Sequence, residues 1–433
     1  MRRDRTLSRL SVSMMLATMI AAAGALPARA LDIDALVARL NALGVKISNQ
    51  EATPQNVVKM TYFSLPWDIR VEDNDIALMA GLPKLKSLDL GGRHELTPAI
   101  IAHLGTMPSL ERLSLNSLHV GDDGAAMLGR MEALQDLSLS SARGISPDGI
   151  AALAQSRSIR ILKLYDVSVG DKGLAALATM AQLEELQITR ARGVTPAGLK
   201  ELAKLKRLRK LDIGETYADD SVLEAFAGHA ALEELRLNRV DTITDAGLAA
   251  LGSLPGLTDL SLDETLVDGS GLAALAKAGS LEQLSMSKTL LSDATVTGLD
   301  AFPVLTRLNI ADTRAGDGVA KQVAALKTLD SLTMNATLVT DEGFKEIGGL
   351  PEVKFLQAAD TAISDAGLAA LDMPLLRTLD ISGTKASLAA LEALVGRDEL
   401  RSLSMRKLDL KKQDVDAIVS KRDAAKDKLS VYN

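Results

Sequence analysis

The sequence predicts an α/β solenoid, a single array of about 14 strand–loop–helix coils closed by a cap at each end. Three observations carry that reading. An LxxLxL pattern recurs with its first apolar residue at Leu85, Leu110, Leu134, Ile159, Leu183, Leu208, Leu232, Leu257, Leu281, Leu305, Leu329, Val353, Leu376 and Leu400, at steps of 23 to 25 residues. A second phrase, (I/V)TDxGLxxL, alternates with it, as in "ITDAGLAALGSLPGLTDLSL" at 243–262. Finally, 47% of residues are apolar but only 2% aromatic, which suits identical layers of Leu, Ala, Val and Ile better than an irregular core plugged by rings.

The first element is an export signal at residues 1–30. "MRRDRTLSR" is basic, "LSVSMMLATMIAAAGAL" is apolar, and Ala28 and Ala30 form an Ala-x-Ala cleavage site ahead of Leu31. Arg5 stands where a twin-arginine signal wants an apolar residue, so ordinary secretion is expected. The competing reading is an uncleaved anchor, since the apolar run nearly reaches spanning length. Cleavage removes five basic residues and one acidic one, leaving 44 basic and 55 acidic residues and a net charge of −11. Such a charge opposes general binding to nucleic acid or to an anionic membrane. There is no cysteine, which excludes disulfides, thiolate metal sites, cysteine nucleophiles and a lipidated N-terminal Cys. The expected mature protein is soluble, periplasmic or extracellular, monomeric, and without an integral membrane segment.

Residues 31–84 form the N-terminal cap. "DIDALVARLNAL" reads as an amphipathic helix and "GVKISNQ…NVVKMTYF" as a hairpin-like entry to an irregular first coil, which holds Tyr62, Phe63 and Trp67. Residues 85–410 are the array. In one coil, "LTDLSL" alternates as a short strand with Leu260 and Leu262 inward and Asp259, Ser261 and Asp263 outward. "TDAGLAALGSL" is a helix with Leu248, Leu251 and Leu254 on its inner face. Gly247 costs up to ~1 kcal/mol against Ala there, so its recurrence implies close backbone approach. Pro83, Pro108, Pro255, Pro303, Pro351 and Pro374 end the helix two residues before the next anchor. Thr or Ser before the helix is an N-cap, and the Pro or Asp after it suits the first helical position and the helix dipole. The Asp residues lack the spacing of a calcium loop. Repeats at first pair up with a 49-residue period (Leu85, Leu134, Leu183, Leu232) and become nearly uniform after Leu281. Residues 411–433 are the C-terminal cap, a charged helix and a last strand with Leu429 and Val431 inward.

LxxLxLxxT followed by (I/V)TDxGLxxL resembles the leucine-rich repeat family, in its short bacterial form close to the ribonuclease-inhibitor-like and cysteine-containing classes. The resemblance covers about 330 residues. It implies a horseshoe with a parallel sheet on the concave side, helices on the convex side and a protein-binding role. The chain departs from the family at the loop position usually filled by Asn, where Thr216, Thr265, Thr289, Thr313, Thr337, Thr361 and Thr384 stand. Their hydroxyls are expected to bond the turning backbone.

No catalytic site, metal site or cofactor is expected. His94, His103, His119 and His229 form no metal-spaced pair, and Gly269-Ser270-Gly271 occupies an ordinary helix-start slot. The outward strand positions are mostly small and polar, among them Ser114, Asn116, Ser138, Ser140, Ser285, Asn309, Asn335 and Gln357. Ile161, Lys163 and Tyr165 in one coil, Arg236, and Phe355 stand out, and Tyr165 with Arg236 is the expected centre of a concave binding face. A second candidate is a basic row on the loop edge: His94, Arg143 and Arg192 at one repeat position, Arg190 and Arg239 at another. Phe63 and Trp67 are a third. The functional expectation is an exported, non-catalytic scaffold for an unidentified protein, with no nucleic acid. The alternatives are a secreted effector, or an enzyme inhibitor, acting on a host or extracellular target.

If the export reading holds, the exported form begins at Leu31. Intact-mass measurement of that form settles the matter, and a mass retaining Met1 would instead favour the anchor.

Overall fold

A computed structural model describes residues 32–64, 69–423 and 429–432; the signal expected at 1–30, and Trp67, lie outside the described residues. Sixteen strands of three residues form one parallel sheet in chain order, from Tyr62–Ser64 at one edge to Ser430–Tyr432 at the other. Fourteen of them follow the fourteen anchors, and every anchor is at most 1% exposed. The central residue of each strand, Leu in the fourteen that follow the anchors, sets the register: Leu211, Leu235, Leu260 and Leu284 stand side by side. A slip of one residue would turn that whole row to solvent. Short helices of four to eight residues cover the other side and close one continuous core. The array is therefore a horseshoe with its sheet concave and its helices convex. No helix among the described residues is long and apolar enough to cross a membrane.

What joins coil to coil is sharper than apolar stacking. Asp317, at the start of one helix, accepts bonds from the Thr340 N–H (2.8 Å), the Thr340 hydroxyl (2.7 Å) and the Gly343 N–H (3.0 Å) of the next coil. Asp341 does the same with Ser364 and Gly367 at 2.7, 2.6 and 3.0 Å. Asp122 with Ser146, Asp171 with Thr195 and Asp220 with Thr244 repeat the backbone-plus-hydroxyl pair. Meanwhile the Thr340 hydroxyl also accepts from Glu342 N–H and so caps its own helix. The Asp serves the neighbouring coil as well as its own dipole, which the dipole reading alone did not foresee. The recurrent Gly follows from it: a Cβ on Gly247 would lie 2.6 Å from an Asp220 carboxylate oxygen, and one on Gly367 2.6 Å from that of Asp341. Burial works against the charge of Asp341, but the Ser364 and Gly367 donors outweigh it and hold the carboxyl below its usual range. That contribution to stability is present at neutral pH and lost as pH falls through the lowered value.

The Thr column pins the turn after each strand. Thr216, Thr265, Thr289, Thr313, Thr337 and Thr361 are 3–7% exposed. Each hydroxyl donates to the carbonyl three residues earlier, at 2.6–2.8 Å. The residue just before each Thr has left-handed backbone, from Glu215 (φ 52°) to Asp360 (φ 54°). The hydroxyl thus closes a turn that L-residues enter reluctantly. Earlier in the array Leu118, Ala142, Val167 and Ala191 fill the same slot with apolar packing.

One coil breaks the expected uniformity. Residues 290–302 form only a three-residue 3₁₀ turn, Leu299–Ala301, because Thr295, Val296 and Thr297 are weak helix formers and Gly298 is left-handed (φ 78°). Gln322 of the next coil compensates: its side chain accepts from Leu299 N–H (3.0 Å) and donates to the Val296 carbonyl (3.3 Å).

The cap helix Ile33–Ala42 begins at Asp32, whose side chain accepts from Ala35 N–H. Ser48 and Asn49, both left-handed, turn the antiparallel hairpin Lys46–Ile47/Gln50–Glu51, the backbone expected of a type I′ loop. Arg39 then grips the buried Asp75 through two bonds of 2.7 and 2.9 Å, fastening the cap helix to the irregular first coil. Burial alone would raise the Asp75 carboxyl, yet Arg39 and the Glu72 N–H bring it below the usual range. At the far end the strand Ser430–Tyr432 pairs with Ser402–Ser404.

Two substitutions test these devices. Thr337→Val should cost about 1–3 kcal/mol, because it leaves the Met334 carbonyl without its buried donor. An unchanged denaturant midpoint would mean the hydroxyl is idle. Gly343→Ala should destabilise although Ala is the better helix former, by about 1–3 kcal/mol of overpacking. Added to Asp317→Ala, the same change should cost less but still destabilise, because the Asp317 Cα would remain 2.9 Å from the new Cβ, and a double-mutant cycle reads the carboxylate's share directly.

Candidate binding surface

Much of the small polar lining of the concave sheet is occupied by the sheet itself. The Asn116 side-chain oxygen accepts from the Ser138 hydroxyl (2.7 Å) and the Ser140 N–H (2.9 Å). Asp263 receives Ser285 and Ser287 in the same way at 2.6 and 2.7 Å, and Asn335 receives the Ala359 N–H at 2.8 Å. These groups satisfy backbone donors where the strands end, so they are structural before they are available to a partner.

The strands Ile161–Lys163 to Asp259–Ser261 differ. Their outward positions carry Ile161, Lys163, Glu185, Lys210, Asp212, Glu234, Arg236 and Asp259, a mosaic of both signs. Lys210 lies 3.9 Å from Glu185 and 3.3 Å from Glu234, and Arg236 lies 2.7 Å from Glu234. Exposed pairs of this kind are worth roughly 0–1 kcal/mol each, so they set the pattern of charge more than the stability. Burial, and then the neighbouring Glu234, raise the Asp259 carboxyl above its usual range; Arg236, Lys210 and Arg307 oppose that rise. A shallow depression runs onward past Arg236 over Ser261, Ser285, Arg307 and Asn309. Glu185, Lys210, Glu234 and Asp259 were missed as site residues, though each stands two places after an anchor, the first outward position of its strand.

The predicted residues fall into separate groups. Lys163 is exposed and Tyr165 half-buried at the end of the same strand, where the Tyr165 hydroxyl accepts from Arg190 at 3.3 Å. Arg236 is three strands away, about 14 Å at the usual strand spacing. Arg143 is exposed on the loop edge, and Arg192 reaches Asp166 through a 3.2 Å bond to its carbonyl and a 3.7 Å ion pair. Arg190 and Arg239 belong to the left-handed turn column, where charge alternates: Asp166, Arg190, Glu215, Arg239, Glu264, Lys288 and Asp312. Arg239 bridges Glu215 (3.5 Å) and Glu264 (3.1 Å), so that column is a ladder of alternating sign and not a basic stripe. Phe63 requires a correction. It is 4% exposed, in register with the core residue Leu88, and the side chain facing outward is that of Tyr62, 61% exposed. Phe355 is outward and 47% exposed. His229 is buried with Nε2 2.9 Å from the Leu205 carbonyl, a core contact. Among the described residues no group of His, Asp or Glu is arranged to hold a metal ion.

No family model and no curated protein matches the chain. Solved structures do. An internalin of Listeria monocytogenes is similar at 19% identity and a TM-score of 0.50, over 68% of this chain and 84% of that one. A chain of the yeast Rad7–Elc1 complex is similar at 17% identity and a TM-score of 0.55, over 96% and 99% of the two chains. TLR13, solved with ssRNA13, is similar at 17% identity and a TM-score of 0.53, over 75% of this chain and 47% of its own. At such identities the likeness is one of fold, the leucine-rich repeat solenoid.

The charge mosaic makes its own prediction. Glu234→Gln removes the like charge beside Asp259 and should lower the Asp259 pKa, as followed by carboxyl carbon chemical shifts through an acid titration. A pKa that stays put or rises would mean that Glu234 does not face it.

Proposed function

We propose that the protein is an exported, non-catalytic scaffold that binds a protein partner on the concave sheet between Ile161 and Asp259. One observation carries this reading: Ile161, Lys163 and Tyr165 open a two-signed mosaic on a sheet whose other polar groups are largely used internally. An interface core of this kind combines an aromatic anchor with charges that choose the partner. The solenoid fold, shared with a chain of the Rad7–Elc1 complex, supports a scaffold role. Although TLR13 was solved with ssRNA13, the acidic balance of this chain favours a protein partner over nucleic acid. The basic, apolar, Ala-x-Ala order of residues 1–30 supports export.

The test is affinity capture with the exported form, followed by titration of the recovered partner against variants at two ionic strengths. Tyr165→Ala should weaken binding by about 2 kcal/mol, roughly 30-fold, with little dependence on salt. A larger loss for Arg143→Glu with Arg192→Glu, together with salt-sensitive binding by the unmodified protein, would move the site to the loop edge. Turnover by the purified protein across a substrate panel would overturn the non-catalytic reading.

A further inference from the structure

Four of the nine exposed large apolar side chains among the described residues share one repeat position: Tyr217 (74%), Leu266 (46%), Leu290 (54%) and Leu338 (62%). That position, four residues past the second inward residue of each strand, forms a column on the flank of the horseshoe. Successive coils are tied along it by backbone bonds from Leu266 to Ile243, Leu290 to Val267, Arg314 to Leu291 and Leu338 to Ala315. A column of exposed Leu on a well-packed array has no use in the folded monomer, and such patches mark interaction surfaces.

In chain order the column reads Tyr217, Asp241, Leu266, Leu290, Arg314, Leu338. Reversed and laid against itself, it is its own complement: Tyr217 meets Leu338, Asp241 meets Arg314, and Leu266 meets Leu290. Asp241 and Arg314 are both exposed, and neither side chain has a partner in its own chain among the described residues. The adjacent left-handed column, alternating in sign, is compatible with the same centre, though Glu215 there faces the neutral Ala336. Reversed about that point, Arg239 faces Asp312, Glu264 faces Lys288, and Arg190 faces Asp360. Further out on the flank, Arg143 faces Asp409.

We propose that this flank is a homodimer interface, with a second copy packed antiparallel about a two-fold axis passing between Leu266 and Leu290. An axis running radially through that point reverses the column yet keeps its curvature, so the two arcs overlie along their length. A straight helix would leave such an arc after a few coils. A lipid surface would have no use for the matched Asp241 and Arg314. Isologous contacts require this kind of self-complementarity. The N- and C-terminal caps, which favour a monomer by blocking end-to-end stacking, leave the flank open. From Arg143 to Asp409 the contact is about 55 Å long at the usual strand spacing. With a width of one or two side chains it falls somewhat short of the roughly 800 Å² per partner of a standard interface, so a dimer of micromolar Kd is expected. The concave sheets of both copies stay open.

Sedimentation velocity of the purified protein from 1 to 500 µM (about the range that brackets such a Kd) tests this. The mass should double with concentration. Asp241→Arg alone and Arg314→Asp alone should each raise the dimer Kd at least tenfold, since either puts like charges together twice. Asp241→Arg combined with Arg314→Asp should restore dimerisation, which a merely misfolded variant could not do. A protein that stays monomeric at 500 µM overturns the proposal, whether or not it sediments with anionic vesicles. So does a dimer that both single variants leave intact.

Discussion

A carboxylate that belongs to one coil but is satisfied only by the next is the constraint on which the array depends. Asp317 and Asp341 each collect two N–H groups and a hydroxyl from the following coil, and these bonds lie at the helix start, where orphan donors accumulate. Gly343 and Gly367 are small because the carboxylate needs their space. Thr340 and Ser364 are hydroxylic because they must donate backwards while capping forwards. One interaction thus specifies three residues of the TDxG phrase. It also fixes where each helix starts relative to its neighbour.

The surface is organised by rows and not by loops. Each outward position repeats once per coil, so a row acquires character only when successive coils agree or alternate. Some rows are consumed internally, like that of Asn116, Asp263 and Asn335. The turn column alternates in sign from Asp166 to Asp312, and the flank column mixes exposed apolar side chains (Tyr217, Leu266, Leu290, Leu338) with the charges of Asp241 and Arg314. Function on such a body resides in stretches of a row, which is why a single conspicuous residue such as Arg236 says less than its neighbours Glu234 and Lys210 do.

The fold was legible because its signal is summed over many copies: fourteen anchors in step leave no other architecture, and all fourteen are buried. The Thr slot was legible too, since a polar residue recurring next to buried Leu demands a partner, and Thr337 has one three residues away. The Asp clamp was not, because its partner lies 23 or 24 residues ahead and a dipole explanation already sufficed for an acidic first turn. Arg39 and Asp75 met only in three dimensions. Phe63 was misplaced although the clue was available: it stands 25 residues before Leu88, one period back in the inward row. The coil at 290–302 escaped because its Leu spacing is intact while its helix is missing, and β-branched Thr295, Val296 and Thr297 weigh little against that spacing.

That coil has a mechanical consequence. In a one-dimensional stack, each unit is held only by the two beside it, so cooperativity is transmitted link by link. Where Leu299–Ala301 replaces a helix, Gln322 supplies the hydrogen bonds but not the apolar face a full helix would present. The link there is softer than one between two full helices. Under load or denaturant the protein should therefore part near residue 296 into two foldons. Amide exchange in the half ending at Leu281 would then report one opening free energy, and the half beginning at Leu305 another.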